Sequence, residues 1–299
     1  METKPSLAAL YHGIKWNCPT KDIAISDDVI MGNLKSSPLL KTYKRLCSEN
    51  KVDEGDPFDY EVYALFTEKQ KDGIYYDFGS SIHNVVEQFA NVLALKLGQP
   101  IPMCRLLWPD DNFKTIAGTE RIYYSSNIVT HVFLEKDSVK LSEDNIVDIK
   151  NIWRNVRTIY QKGTYRGRLV NALSYYYYTW RSDSLEQIVI NLAIVLEIIF
   201  APHSQTELNH QISFNVSRFM GKNKDERVDI YNTIKTFYGI RSAIIHGGMP
   251  DENKIISIAL HVYTLVTNIM VSILADIKTI EMFSDDKQRK NMLLKFLFD

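Results

Sequence analysis

The sequence lacks the features that assign many proteins to a functional class at once. Its 299 residues include only three cysteines, and none of them forms a Cys-x-x-Cys zinc or redox motif. No phosphate-binding Gly-x-x-x-x-Gly-Lys-Ser/Thr loop occurs, and neither does Gly-x-Gly-x-x-Gly, His-Glu-x-x-His or Gly-x-Ser-x-Gly. We therefore expect no metal site and no cofactor, and we expect the cysteines to be reduced, buried thiols.

The sequence also lacks long apolar segments and a large net charge. The longest apolar run, residues 188–201, is interrupted by Asn191 and Glu197 and is shorter than the roughly 20 residues of a membrane span. The first residues lack the apolar core of a signal peptide. Thirty-five basic and 36 acidic residues leave a formal charge of −1. We expect a cytoplasmic protein without membrane association, in which any nucleic-acid site is local.

The first 141 residues have the pattern of a mixed α/β domain. Residues 60–67 and 119–127 are rich in β-branched and aromatic side chains and have the length of strands. Between them, residues 82–97 carry apolar side chains at helical spacing and end before Gly98. No catalytic signature occurs in this half, so we expect it to recognise a trigger, a regulatory partner or an RNA feature.

From residue 142 onward the pattern is that of helices alone. Ser142 is a suitable N-cap for a first helix that continues to residue 159. Further helices are predicted at residues 166–181, 185–200, 208–220, 225–246 and 254–280, with a short one near the C-terminus. The prediction is an α+β protein in which an all-α domain, residues 142–299, follows the mixed domain of residues 1–141.

One stretch of the helical half contains two residues of types that act in catalysis. Residues 238–248 read Tyr-Gly-Ile-Arg-Ser-Ala-Ile-Ile-His-Gly-Gly, so Arg241 and His246 stand five positions apart before two glycines that end the helix. A histidine titrates near neutrality and can transfer protons, and a guanidinium can neutralise a phosphorane-like transition state. The alternative is structural, because both cations also favour the negative end of a helix dipole.

This stretch resembles the Arg-x4–6-His signature of the HEPN superfamily, and its form is most similar to the Apea-like HEPN branch. Residues 191–200, with Glu197, and residues 206–213 resemble two further helices of that branch, so that the likeness covers about residues 143–280. The resemblance implies a helical homodimer whose Arg and His residues line one cleft. It also implies, for many members, a metal-independent endoribonuclease, whereas other members are inactive dimerisation or nucleotide-binding modules.

Three more residues are candidates for the same cleft. Glu197 lies in a strongly apolar segment, and a carboxylate there needs a cation such as Arg241 or His246. Its role is either catalytic or that of a structural salt bridge. Ser242 and Asn191 are predicted to add hydrogen bonds.

A local basic segment is the candidate RNA-binding surface. Residues 149–182 contain no acidic residue and carry seven positive charges, and they also contain tryptophans and the run of tyrosines 175–178. The alternative is a solvated helix face with tyrosines that pack between helices. The residues proposed to contact RNA are Lys150, Arg154, Arg157, Lys162, Arg166 and Arg168.

Three functional hypotheses remain. The first is a HEPN-type endoribonuclease that cleaves single-stranded RNA. The resemblance implies that such an enzyme acts as a toxin in prokaryotic antiviral defence or stress. The second is a non-catalytic HEPN dimer that acts as a scaffold or as an RNA- or nucleotide-binding regulator. The third is an enzyme in the N-terminal half, for which the helical half is the dimerisation module.

Overall fold

A computed structural model describes residues 5–48, 60–67, 80–101, 103–109, 116–120, 138–161, 167–182, 184–201 and 207–296. The described residues form two compact units, one up to Arg154 and one from Asn155 onward. The division lies within a helix, Glu143–Gln161, whereas the sequence pattern places the domain boundary before it, at residues 141 and 142. The first part of this helix belongs to the N-terminal unit because Trp153 is buried in that unit's core.

The N-terminal unit is built on antiparallel strands. Its strands are β1 Pro5–His12, β2 Ile14–Trp16, β3 Asp22–Ser26, β4 Val29–Asn33, β5 Tyr60–Thr67, β6 Met103–Pro109, β7 Ile116–Glu120 and β8 Val139–Leu141. Its complete helices are α1 Pro38–Ser48 and α2 Ser80–Leu97. Six strands form one sheet in the order β3-β4-β5-β1-β6-β7, in which all neighbouring pairs are antiparallel. Strands β2 and β8 form a separate parallel pair.

Strand β1 lies inside the sheet, between β5 and β6. Five consecutive residues from Leu7 to Tyr11 are fully buried, so side chains on both faces of the strand are covered. A short continuous apolar run is the pattern of such a strand but also of a buried helix segment, which is why sequence periodicity did not assign it.

Aromatic packing holds the core of this unit together. The ring of Phe89 on α2 makes edge-to-face contacts with Phe66 of β5 and with Trp153, at centroid distances of 5.6 and 5.1 Å. The indole N–H of Trp153 donates a hydrogen bond to Ser26 Oγ at 3.1 Å. The predicted strand at residues 60–67 and the helix at 82–97 are thus confirmed. Residues 121–127 of the other predicted strand lie outside the described residues, and residues 116–120 form β7.

The C-terminal unit consists of helices. They are the second part of α3 (Glu143–Gln161), then α4 Arg168–Trp180, α5 Leu185–Phe200, α6 Leu208–Met220, α7 Lys224–Ile245, α8 Glu252–Leu274, α9 Ile277–Ser284 and α10 Asp286–Lys295. The predicted α+β fold with a helical C-terminal part is confirmed. Ser142 caps α3 as predicted, because its Oγ accepts a hydrogen bond from the backbone N–H of Asn145 at 3.3 Å.

One predicted helix is wrong, because the segment 254–280 forms two helices rather than one. Helix α8 ends at Leu274, and α9 begins after Asp276. The Asp276 carboxylate accepts hydrogen bonds from the backbone N–H and the hydroxyl of Thr279, at 2.9 and 2.7 Å. An aspartate three residues before a threonine is therefore a helix start that apolar spacing alone does not reveal.

Helix α5 is the centre of this unit and contacts α4, α6, α7 and α8. Ten of its 16 residues are buried, which matches its nearly continuous apolar sequence. Next to it, the hydroxyl of Tyr176 on α4 lies 3.0 Å from both the Tyr263 hydroxyl and Thr267 Oγ1 on α8. Every polar group of this buried cluster therefore has a partner.

Among the described residues, α8 is the one helix that is long and apolar enough to cross a membrane by length and composition. Ten of its 23 residues are buried, and α8 packs on α5, α7 and α9. This packing is the pattern of a core helix, which also passes the same test of length and composition.

Candidate active site

Helix α7 carries Arg241 in its last turns and ends at His246. The backbone of His246 leaves the helical path, with φ −90° and ψ 14°, and Gly247 takes a left-handed φ of 78°. The N–H of Gly248 then donates to the carbonyl of Ala243 at 2.7 Å. This is the glycine-terminated helix end that the sequence predicts, and it fixes His246 at the tip of α7.

The face of α7 that packs on the core becomes more exposed to solvent toward the C-terminal end of the helix. Four residues at steps of four, three and four share one face of the helix. The exposed fraction is 0% for Ile234, 4% for Tyr238 and 50% for Ile245, and between them the Arg241 side chain is 28% exposed. Arg241 therefore lies at the edge of the core, where its guanidinium is partly desolvated and still reachable.

Glu197 of α5 lies opposite Arg241. Its Oε1 is 3.2 Å from Nη2 of Arg241, and the two side chains are 24% and 28% exposed. Glu197 stands in the last turn of α5, where the helix dipole disfavours a negative charge, so the guanidinium compensates for an otherwise unfavourable carboxylate. The pairing of Glu197 with Arg241 rather than with His246 is one of the two arrangements that the sequence left open.

Tyr238 completes this cluster and was not among the residues selected from the sequence. The Cζ of Arg241 lies 5.7 Å from the centre of the Tyr238 ring, within the range of a cation–π contact. The Tyr238 hydroxyl donates to the carbonyl of Ala193 at 3.4 Å. Burial, and after it the charge of Glu197, raises the pKa of Tyr238 well above its usual value. The three-residue step from Tyr238 to Arg241 is the signal that would have identified it.

His246 does not join this cluster within one chain. Its side chain is exposed, and among the described residues no hydrogen bond or ion pair of its imidazole is found. The backbone N–H of His246 donates to the carbonyl of Ser242 at 3.1 Å, which holds the residue at the end of α7. The Ser242 side chain is likewise exposed. The two predicted catalytic residues are therefore on one helix end without touching each other.

Asn191, predicted to add hydrogen bonds to the cleft, has its hydrogen-bond partners away from Glu197. Asn191 is buried, its Nδ2 donates to Ser182 Oγ at 3.1 Å, and its Oδ1 accepts from Gln187 Nε2 at 2.9 Å. Six residues along α5 separate it from Glu197, which corresponds to about 9 Å along the axis and about 120° around it. Its amide instead braces the connection between α4 and α5.

The described basic residues predicted to bind RNA are divided between α3 and the start of α4. Lys150 and Arg154 belong to the N-terminal unit, where Arg154 Nη2 donates to Asn151 Oδ1 at 2.5 Å. Arg157 is half-buried in the other unit, and Lys162 and Arg166 lie outside the described residues.

Arg168, one of the residues proposed to contact RNA, makes structural contacts within the helical unit. Its Nη1 donates to the carbonyl of Ile198 at 2.5 Å, and its Nη2 lies 2.5 Å from Oδ1 of Asp286. The guanidinium thus connects the end of α5 with the start of α10.

Four of the aromatic residues proposed as a base-stacking surface belong to the cores. The rings of Trp153, Trp180, Tyr176 and Tyr177 are buried, and the ring of Tyr178 is half exposed. Successive residues of a helix point in different directions, so a run of tyrosines cannot lie on one face. The packing alternative is correct for these four buried rings.

Among the described residues, no group of three or more His, Cys, Asp or Glu side chains is arranged to hold a metal ion. Cys18 is a free thiol whose Sγ lies 3.5 Å from the Leu141 carbonyl, and burial raises its pKa. It is half-buried rather than fully buried, and the side chains of Cys47 and Cys104 lie outside the described residues. Comparisons with protein-family models, with curated proteins and with solved structures found no match.

Proposed function

We propose that this protein is a cytoplasmic, metal-independent endoribonuclease of the HEPN type that acts as a homodimer. The observation that carries the proposal is the Glu197–Arg241 pair, which holds a partly buried guanidinium on the helix end that presents an exposed histidine. A guanidinium fixed in this way is preorganised to bind the phosphate of an RNA backbone.

The reaction assigns one role to each residue. His246 accepts the proton of a ribose 2′-hydroxyl, whose oxygen attacks the adjacent phosphorus, and a protonated histidine donates to the departing 5′-oxygen. Arg241 neutralises the charge that develops on the nonbridging oxygens. The products are a 2′,3′-cyclic phosphate and a free 5′-hydroxyl.

The dimer explains how one histidine per chain can serve both proton transfers. Ile245 is 50% exposed and Met249 is 98% exposed, and these apolar side chains flank His246 on either side in the sequence. Exposed apolar groups at such a position favour contact with another surface. A two-fold axis at this point would place two copies of Arg241 and His246 around one phosphate.

The second candidate function, a non-catalytic scaffold or nucleotide-binding dimer, is favoured by a different aspect of the same pair. Because Glu197 already compensates the charge of Arg241, the guanidinium has less charge available for a phosphate. In this case the dimer would form and RNA cleavage would be absent. The biological role in defence or stress, and a trigger that binds the N-terminal unit, are part of the proposal in either case.

The test is cleavage of single-stranded RNA by the purified full chain in EDTA, with analysis of the product ends. We expect cleavage that leaves a 2′,3′-cyclic phosphate and that is blocked when the ribose 2′-hydroxyls of the substrate are methylated. Cleavage that requires magnesium, or that proceeds efficiently on methylated RNA, would contradict the proposed mechanism. Formation of the dimer without any cleavage would favour the scaffold.

A further inference from the structure

The last turn of α5, which carries Glu197, is capped by side chains from three other helices. The final carbonyls of a helix have no partner within it and need donors from elsewhere. Arg168 of α4 donates to Ile198 at 2.5 Å, and Asn215 of α6 donates to Phe200 at 3.1 Å. Arg289 of α10 serves the remaining two carbonyls.

Arg289 reaches the deepest part of this cap. Its side chain is 1% exposed, and its Nη1 donates to the carbonyls of Ile199 and Ala201 at 3.3 and 2.8 Å. The N–H of Ala201 in turn donates to the carbonyl of Glu197 at 2.9 Å. A chain of hydrogen bonds therefore connects the Arg289 guanidinium to the backbone of Glu197.

The electrostatics explain how a buried arginine is tolerated here. The negative end of the α5 dipole faces Arg289, and Oδ1 of Asp286 lies 3.8 Å from its Nη2. Burial, and after it the charge of Arg168, lowers the pKa of Arg289. Asp286 also pairs with Arg168, so one carboxylate at the start of α10 holds both arginines against the same turn.

We propose that Arg289 is a positioning residue that, together with Arg168, sets the place of Glu197 and thereby of Arg241. The geometry makes α10 a clamp on the C-terminal end of α5, at a sequence distance of about 90 residues. Loss of the clamp leaves buried carbonyls without donors, so the turn must shift to reach water or other partners. The Glu197 carboxylate moves with this turn and releases the guanidinium.

The test compares Arg289→Met with Asn155→Leu. The control also removes a buried donor from a helix C-terminus, because Asn155 Nδ2 donates to the carbonyl of Leu274 at 2.8 Å, but that helix does not carry Glu197. The direct readout is the NMR resonance of the Arg241 Nε–H group, with Glu197→Gln as the reference for a released guanidinium. We expect R289M to move this resonance toward its E197Q position, and N155L to leave it in place.

A second readout, RNA cleavage, rests on the proposed function. Under single-turnover conditions we expect R289M to cleave RNA at least about tenfold more slowly than the parent, and N155L to cleave it at a rate within about twofold of the parent. We expect R289K to recover part of the cleavage rate, because its ammonium can donate to one carbonyl. If R289M does not fold, Arg168→Gln replaces it and should move the resonance in the same direction. An unmoved Arg241 resonance in the folded variant, or an equal shift in N155L, would overturn the clamp. If R289M moves the Arg241 resonance but the parent protein cleaves no RNA, the clamp is supported and the proposed ribonuclease function is refuted.

Discussion

Replacing Glu197 with glutamine should destabilise the helical unit measurably, because it removes one charge of a partly buried pair and keeps the shape of the side chain. At the observed 3.2 Å, two unit charges attract by about 5 kcal/mol with an effective dielectric constant of about 20. Desolvation of both groups cancels most of this attraction. Exposed pairs contribute about 0.2–1 kcal/mol and removal of one partner of a buried pair costs about 3–5 kcal/mol, so we expect a loss of about 1–2 kcal/mol.

The assay is a double-mutant cycle measured by chemical denaturation. The parent, E197Q, R241Q and the double variant give the coupling free energy between the two side chains, which we expect to be about 1 kcal/mol. The exposed Glu281 of α9 provides a control, since E281Q should change stability by less than about 0.5 kcal/mol. Zero coupling together with a parent-like E197Q would refute the reasoning.

The same variant separates two roles of Glu197. If the carboxylate only braces Arg241, stability and RNA cleavage should fall together in E197Q. A direct catalytic role would lower cleavage with little loss of stability.

Three further predictions concern the interface and the two cores. Ile245→Asp should convert a micromolar dimer into a monomer in light scattering and abolish cleavage, and a monomeric parent that cleaves RNA would contradict this. Burial raises the pKa of Tyr176 to about 12. Between pH 10 and 12 the Tyr176 hydroxyl therefore loses its proton in the unfolded chain but keeps it in the folded one, so the free energy of unfolding should fall by up to about 2–3 kcal/mol. Denaturation curves measured from pH 9 upward test this, and the effect should shrink in Tyr176→Phe. Trp153→Ala should cost about 3–5 kcal/mol, because this buried ring packs on Phe89 and donates to Ser26, and a cost below 1 kcal/mol would be inconsistent with that packing.

The sequence predicted the helices well where short-range signals define both ends. Helix α5 begins after Ser184, whose Oγ accepts from the N–H of Gln187, and α6 ends at Gly221. Both helices have the predicted bounds, 185–200 and 208–220. The pairing of Glu197 with a cation was also predictable, because a carboxylate within an apolar helix requires one.

Contacts between distant residues were not predictable in the same way. Arg168 reads as a free surface cation, yet its partners lie 30 and 118 residues away. Arg289 was not predicted to be buried, because it stands in the polar run of residues 285–291. The basic segment therefore appeared to be a single surface, although part of its charge stabilises the fold.

The most direct test of the proposed function compares His246→Ala with His261→Ala in RNA cleavage under EDTA. His261 is an exposed histidine of α8 and provides a matched control for the loss of an imidazole. A general acid–base group typically contributes about 10²- to 10⁴-fold, so H246A should cleave at least about 100-fold more slowly as an intact dimer, with H261A at the parent rate. Arg241→Lys should also lose most activity, because an ammonium lacks the guanidinium fork. Cleavage by both H246A and R241K at the parent rate would show that the activity does not belong to this site.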